Sequence, residues 1–329
     1  MLNQRSWWPI CGVALLLVAM FGCTPKEQAQ LQTQVAGAAT LAVKVATEAP
    51  PKLTQAAQIA QTAIALATQL SKPPTSSAPT DFVLVTSAAG VEFWRKDYQG
   101  GNPDFVEVIN LSQGASVKLF HGQITDLGTG QGVYKGDNPK IARQPLDAAW
   151  NLFSSSYPNA FCITNGQFFV DKVNEQVVDP TTLAFPLKID EVIVSDGYGS
   201  KEYVNQKLIL EIWGDMANIS ALTEDNLYSS PAPNIIAGLT EDANKGPNNL
   251  TGRTFAGIDD KDNNGKSEVI LIFNSKTSKQ ADAANILRSF GADKVIMLDG
   301  GDSTQLICQG TPYITSDRTL PQTIGVTNR

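Results

Sequence analysis

The sequence has little of what much catalytic machinery is built from. Histidine occurs once, at His121, so zinc sites made from several imidazoles are excluded. A Ser-His-Asp arrangement would have to use that one ring. Charged residues make up only 17% of the 329, and the 25 Lys+Arg fall short of the 32 Asp+Glu, leaving −7. The shortage of cations is concentrated in one part of the chain. Residues 1–80 hold Arg5, Lys26, Lys44, Lys52 and Lys72 against Glu27 and Glu48, a balance of +3, so residues 81–329 carry −10. A globular part that acidic has no basic face for nucleic acid and argues against adsorption to anionic lipid. What is present is 42% apolar residues, enough to bury a substantial core.

Long hydrophobic runs are missing too. The apolar run Trp7–Phe21 is too short for a comfortable membrane span, but with Arg5 before it the segment reads as an export signal. It closes on Met20-Phe21-Gly22-Cys23, which resembles the lipobox of bacterial lipoproteins. That resemblance implies that residues 1–23 are a lipoprotein signal peptide and that Cys23 is acylated. The product would be exported and anchored to a membrane, facing the periplasm or the cell exterior. An uncleaved signal anchor is the alternative, and the short run with its terminal cysteine argues against it. Cys162 and Cys308 would then remain. In an oxidising compartment they can form a disulfide; as buried thiols in apolar strands they would pack as small hydrophobes. Both readings stand at this level.

Residues 24–70 are rich in Ala, Gln and Thr, which favours a helical stalk. Pro50-Pro51 divides it into helices over about 27–48 and 52–70. Residues 71–80, SKPPTSSAPT, form a Pro/Ser/Thr linker. Residues 81–329 hold many short runs of β-branched and aromatic residues between turn signals such as GTGQG, GDNP and DNNG, as strands require. The strand EVILIF, the helix SKQADAANILRSF, Gly291 and the strand KVIMLD read as a β-α-β crossover with its two strands parallel in one sheet. Thr277 and Gln280 would cap the helix as a capping box, and Gly291 would end it. The expected fold is therefore α+β, a mixed β-sheet domain with packed helices, preceded by the helical stalk.

The crossover ends in Asp299-Gly300-Gly301-Asp302-Ser303-Thr304. Two carboxylates flank a glycine pair at the carboxyl end of a strand, where α/β sheets bind ligands. Consecutive amides there can form an anion-binding nest. Thr164-Asn165-Gly166-Gln167-Phe168-Phe169 follows one strand, Thr251-Gly252-Arg253-Thr254 opens another, and Arg318-Thr319-Leu320-Pro321 precedes a third. In this order, over about residues 90–329, these stretches resemble the phosphodiester glycosidase family, with a weaker match at Ser195-Asp196-Gly197. Gln167 and Asp302 stand where that family usually has glycines, and both add bulk.

The resemblance implies hydrolysis of sugar-1-phosphodiester linkages, such as GlcNAc-1-phosphodiesters in envelope polysaccharide. The departing phosphate monoester is a weak base, so less acid catalysis is needed than in an ordinary glycosidase. Arg253 with the Gly300-Gly301 backbone would hold and stabilise the phosphate. Asp299, ahead of Asp302, would activate water or stabilise the cationic sugar centre. Asn165, Gly166, Thr254, Ser303 and Arg318 complete the expected substrate contacts. A turn-forming role for Asn165 and surface ion pairs for the arginines are the plainer alternatives. No cofactor is required. Asp260, Asp262 and Asn264 resemble the opening of a calcium loop, but Leu271 stands where the closing glutamate would be, and a polar hairpin turn explains them equally. Expected partners are a sugar phosphodiester or envelope glycan, and the membrane through Cys23. Gln167 and Asp302 motivate a second reading, a non-catalytic envelope lipoprotein that binds glycans or a protein through the same fold. A calcium-dependent adhesion module is a third.

Overall fold

The computed structural model describes residues 78–199 and 201–329. The signal segment, the stalk and residues 71–77 of the linker lie outside the described residues. Strand formation begins with β1 (Val83–Ala88), β2 (Val91–Lys96), β3 (Asp104–Asn110), β4 (Ser116–His121), β5 (Ile124–Asp126) and β6 (Lys140–Ile141). Helix α1 (Leu146–Ser156) then leads to β7 (Ala160–Asn165), β8 (Lys172–Val173), β9 (Gln176–Val177), β10 (Leu187–Ile189) and β11 (Val192–Ser195). After β12 (Lys207–Ile212) and β13 (Ala217–Ala221) come α2 (Glu224–Ser229), β14 (Asn234–Leu239), β15 (Thr251–Asp259) and β16 (Val269–Ser278). The chain closes with α3 (Gln280–Ser289), β17 (Lys294–Met297), β18 (Leu306–Cys308), β19 (Thr311–Ile314) and β20 (Gln322–Thr327).

Two sheets dominate. The larger runs β1-β2-β3-β16-β15-β17-β14-β10-β11, with β12 and β13 added beside β14; the smaller runs β19-β18-β7-β20-β4. The inner faces meet in one apolar layer, where Phe93, Phe105, Ala256, Ile258 and Ile272 of the large sheet join Leu119, Leu306, Ile324 and Val326 of the small one. Outside the large sheet, α3 presents Ala283, Ala284 and Leu287 to Phe255, Leu271 and Phe273. Outside the small sheet, Leu146, Ala149 and Phe153 of α1 cover Ile163 and Ile307. The spacing i, i+3, i+7 puts those three side chains on one stripe. Strand β15 is thus covered on both faces, which explains its nearly unbroken burial. Gly257 lets the turn between α3 and β17 come close, since a Cβ there would lie 2.9 Å from the Ala292 Cβ.

The α+β expectation is corrected: this is a mostly β architecture of large antiparallel sheets, with three α-helices among the described residues. Nor is the large sheet mixed, because every ladder in it pairs antiparallel strands. The crossover does connect strands of the same direction. Both β16 and β17 pair antiparallel with β15, which lies between them. That one legible crossover gave the helices undue weight, while hairpins build most of the rest. The capping box is corrected as well. Thr277 and Ser278 continue β16, the helix starts after Lys279 with no side-chain cap, and the Gln280 amide donates to the Glu241 and Ala243 carbonyls. Gly291, with φ of 110°, follows the end of α3.

Cys162 and Cys308 sit directly opposite each other on β7 and β18 and form a disulfide with a Cα–Cα separation of 4.0 Å. Beside it, between the sheets, lies Glu107. Its side chain is 1% exposed, neither oxygen has a hydrogen-bond partner, and burial pushes its carboxyl up to about 8. The folded protein therefore keeps a proton that the unfolded chain releases near pH 4.5. Folded protein binds more protons between those values, so this group's contribution is fully present below about 4.5 and lost as the pH rises towards 8. Glu107→Gln removes that dependence. Its thermal midpoint should gain on wild type as pH rises from 5 to 8, by an amount equivalent to about 4 kcal/mol at the alkaline end. Parallel melting curves across that range would contradict the assignment.

Candidate functional site

The four polar stretches meet at one edge of the two-sheet stack. Beneath them is a buried knot of side chains. Asn165, at the end of β7, donates from Nδ2 to the Asp299 carbonyl at 2.7 Å, and its Oδ1 accepts from Thr254 Oγ1 at 2.9 Å and from the Gln305 amide at 3.3 Å. Asn274 of β16 donates to Thr164 Oγ1 and Thr254 Oγ1, and Thr164 donates to the Gln305 carbonyl. Asn165, Thr254 and Asn274 are all buried. Each is polar in an apolar layer, and the bonds they exchange offset their burial, although Asn274 Oδ1 is left without a partner. Asn165 and Thr254 therefore face the protein and fix the turn after β17.

That turn needs its glycines. Gly301 has φ of 62°, in the region that favours glycine. Gly252 and Gly300 pass so closely that a Cβ on Gly252 would lie 2.1 Å from the Gly301 carbonyl oxygen. Gly166 is open for another reason. The Gln322 amide oxygen fills the place of its missing side chain and accepts from the Gln167 amide at 2.7 Å. The Gly166 carbonyl in turn accepts from the Asp299 amide at 2.9 Å.

Above the turn is a cleft of about 350 Å³. Asp299, Gly300, Gly301, Thr251, Arg253 and Arg318 form one part of its lining; Phe168, Phe169, Phe185, Tyr198 and Tyr203 supply aromatic walls. Asp299 opens to the cleft and is enclosed by protein elsewhere. Desolvation raises its carboxyl to about 6, against the opposing pull of the Ser303 hydroxyl, the Gly300 amide, Arg318 and Lys245. The Gly300 amide donates to Asp299 Oδ1 at 3.0 Å. Ser303 is buried, and Arg318 Nη1 donates to its Oγ at 3.3 Å. Asp302 is on the rim, 80% exposed, with Oδ2 3.6 Å from Arg318 Nη2.

Arg253 lines the cleft but spends its donors elsewhere. They reach the carbonyls of Ser278, Lys245, Gly246 and Asn249, at 3.4, 3.1, 2.6 and 3.4 Å. The guanidinium thus braces the 245–249 loop. That loop carries Lys245, whose Nζ lies 5.1 Å from the Phe168 ring centre and 5.7 Å from that of Tyr203. Gln167 turns inward and donates to the Pro186 carbonyl at 3.0 Å, and Asp302 stands on the exposed rim, so neither of these bulkier side chains plugs the cleft.

Three other features lie apart from the cleft lining. Asp196 is buried and accepts from the Gly136 amide and the Tyr228 hydroxyl, which makes the Ser195-Asp196-Gly197 turn a brace for the 128–138 loop and α2. The His121 ring faces the Gly122 carbonyl. In the 260–268 turn, carboxylates of Asp260, Asp262 and Glu268 lie within 4.8 Å of one another. There Asp260 already accepts from the Asn264 and Gly265 amides, and Asn264 Oδ1 accepts from the Lys266 amide.

Sequence reasoning missed Lys245, Asp171 and Arg143. Asp171 follows the Phe168-Phe169 pair by two positions and pairs with Arg318 at 2.8 Å, so its nearness to that motif was a usable signal. Lys245 and Arg143 carry no local signal, because their positions depend on contacts made far along the chain. The knot yields a stability prediction. Asn165→Ala leaves the Thr254 hydroxyl and the Asp299 carbonyl short of partners, so it should cost about 2–4 kcal/mol. Denaturant titration measures this, and a loss below about 0.5 kcal/mol would remove Asn165 from the scaffold role.

Comparison with known proteins supplies the family. A solved hypothetical protein from Synechocystis is similar with 12% identity and a TM-score of 0.45, over 77% of this chain and 64% of that one. The chain thus spans a little under two thirds of that protein's length. The catalytic domain of zebrafish N-acetylglucosamine-1-phosphodiester alpha-N-acetylglucosaminidase, auto-inhibited by its pro-peptide, is similar with 13% identity and a TM-score of 0.46, over 79% of this chain and 86% of that one. No curated protein sequence matches. The family model for phosphodiester glycosidase matches residues 153–327, more than half of the chain and a span that holds all four polar stretches. The chain belongs to the phosphodiester glycosidase family.

Proposed function

We propose that this protein is a hydrolase of sugar-1-phosphodiester linkages, with Asp299 as its catalytic carboxylate and with Arg318 and Lys245 gripping the phosphate. The observation that carries this reading is Asp299 itself. It is a desolvated carboxyl opening into a cleft, held by a glycine turn and pulled upon by both cations. Water adds to the anomeric carbon and gives its proton to ionised Asp299. The anomeric carbon–oxygen bond breaks, and its electron pair leaves with the phosphate monoester. Because that leaving group is a weak base, no strong acid is needed opposite Asp299. The Gly300 and Gly301 backbone and the two cations offset charge on the departing phosphate, while the aromatic walls give a sugar ring its stacking surface. Arg253 serves by bracing the Lys245 loop, and Asn165, Gly166 and Thr254 by holding the turn. Asp302 faces solvent at the rim and is the lesser candidate.

The test is hydrolysis of a GlcNAc-1-phosphodiester by the purified protein. Asp299→Asn should lower kcat by about 100-fold or more, whereas Lys245→Ala should raise KM and also lower kcat, because the cation both grips the phosphate and offsets its charge as it departs. Asp299 works ionised, so kcat/KM should fall as the pH drops through about 6. Arg318→Gln removes a cation that lowers this carboxyl, so the acidic limb should move to higher pH. A panel of sugar phosphodiesters left uncleaved, with glycan binding retained, would favour the non-catalytic lipoprotein instead.

The same proposal places the protein outside the cytoplasm, tethered through Cys23; the signal-like segment 1–23 supports it. Cells fed labelled palmitate should incorporate it into wild type and not into Cys23→Ser. Equal labelling of both would remove the anchor.

A further inference from the structure

We infer that Asp171 is the positioning residue for Arg318, held in its turn by Arg143. The inference deepens the reading of the cleft as an anion site and rests on it. Asp171 Oδ2 lies 2.8 Å from Arg318 Nη2, while its Oδ1 lies 2.9 Å from Arg143 Nη2. Arg318 can also reach Asp302, but at 3.6 Å and against a side chain that is 80% exposed, so that second contact is weak. Asp171 is only 20% exposed, and its pull on the guanidinium is correspondingly less screened.

Arg143 is built to fix that carboxylate. Its side chain is 2% exposed. Nε donates to the Thr319 carbonyl, Nη1 to the Asp171 and Val178 carbonyls, and the guanidinium lies 4.9 Å from the Phe169 ring centre. One buried cation therefore holds the residue next to Arg318, both legs of the β8–β9 hairpin and an aromatic side of the cleft. The three charged groups Arg143, Asp171 and Arg318 sum to a single positive charge. Because Asp171 is shared, Arg318 keeps attraction for an incoming anion while its rotamer is restrained. From that position Arg318 Nη1 reaches Ser303 Oγ, which hydrogen-bonds Asp299, so the restraint extends from a surface hairpin to the cleft carboxylate.

A purely structural salt bridge would stabilise the fold without acting through Arg318, and a double-mutant cycle separates the two cases. The probe is α-D-glucose 1-phosphate, titrated calorimetrically into the whole protein. Asp171→Asn should weaken its binding about tenfold in the wild-type background and have no further effect in Arg318→Gln. Asp171→Glu, which keeps the charge, should recover most of the affinity with a wild-type thermal midpoint. Equal losses in both backgrounds, no loss in wild type, or no recovery with Glu would each overturn the inference. Wild type that binds the probe but turns over no phosphodiester would sink the proposed reaction and leave the cycle readable. Wild type that fails to bind it would overturn the inference together with the anion site.

Discussion

The site depends on one amide. Asn165 stands at the end of β7, in the buried layer between the two sheets, and ties the turn after β17 to both. A buried amide left without partners would be costly, so its bonds are the condition under which this end of the stack closes. Once the turn is fixed, Gly300 and Gly301 can run against Gly252 with no side chain between them. Asp299 is then left facing the only open direction, and desolvation sets its titration range. The order of causes is amide, backbone approach, carboxylate.

The cations are arranged by a different logic. Arg253 looks like a ligand-binding residue because it lines the cleft, yet it is committed to backbone carbonyls. Its contribution is the loop that presents Lys245. Arg318 bonds to Ser303 beside Asp299 and is balanced by acidic neighbours. The protein thus uses one buried arginine to support a lysine and another, Arg143, to support the carboxylate that faces Arg318.

Local pattern made much of this legible. Strands with β-branched runs were visible as such, and the strand expected after Arg318-Thr319-Leu320-Pro321 is β20, Gln322–Thr327. The motifs also pointed to the turn that lines the cleft, because Gly-Gly between aspartates is locally unusual. Weakly patterned elements were harder to see. Helix α1 starts after Pro145 without a side-chain cap, and β14, Asn234–Leu239, is buried along nearly all its length and lacks alternation. The hands of Arg253 and Asn165 could not be read in advance, since a polar residue beside a glycine looks alike whether it turns to ligand or to protein. Nor could Lys245 or Arg143, whose partners are remote in the chain.

Asp302, exposed on the rim of the cleft, has one more consequence. The described domain is strongly acidic, and a carboxylate on the lip adds to that field just outside two cations. A polyanion arriving from solution is therefore repelled at distance and attracted only at contact. Near 0.15 M salt the repulsion fades within about 8 Å, so an isolated charged linkage can enter while a densely charged polymer is held off. Capture of anions by such an entrance quickens as ionic strength rises, opposite to the behaviour of electrostatically steered enzymes.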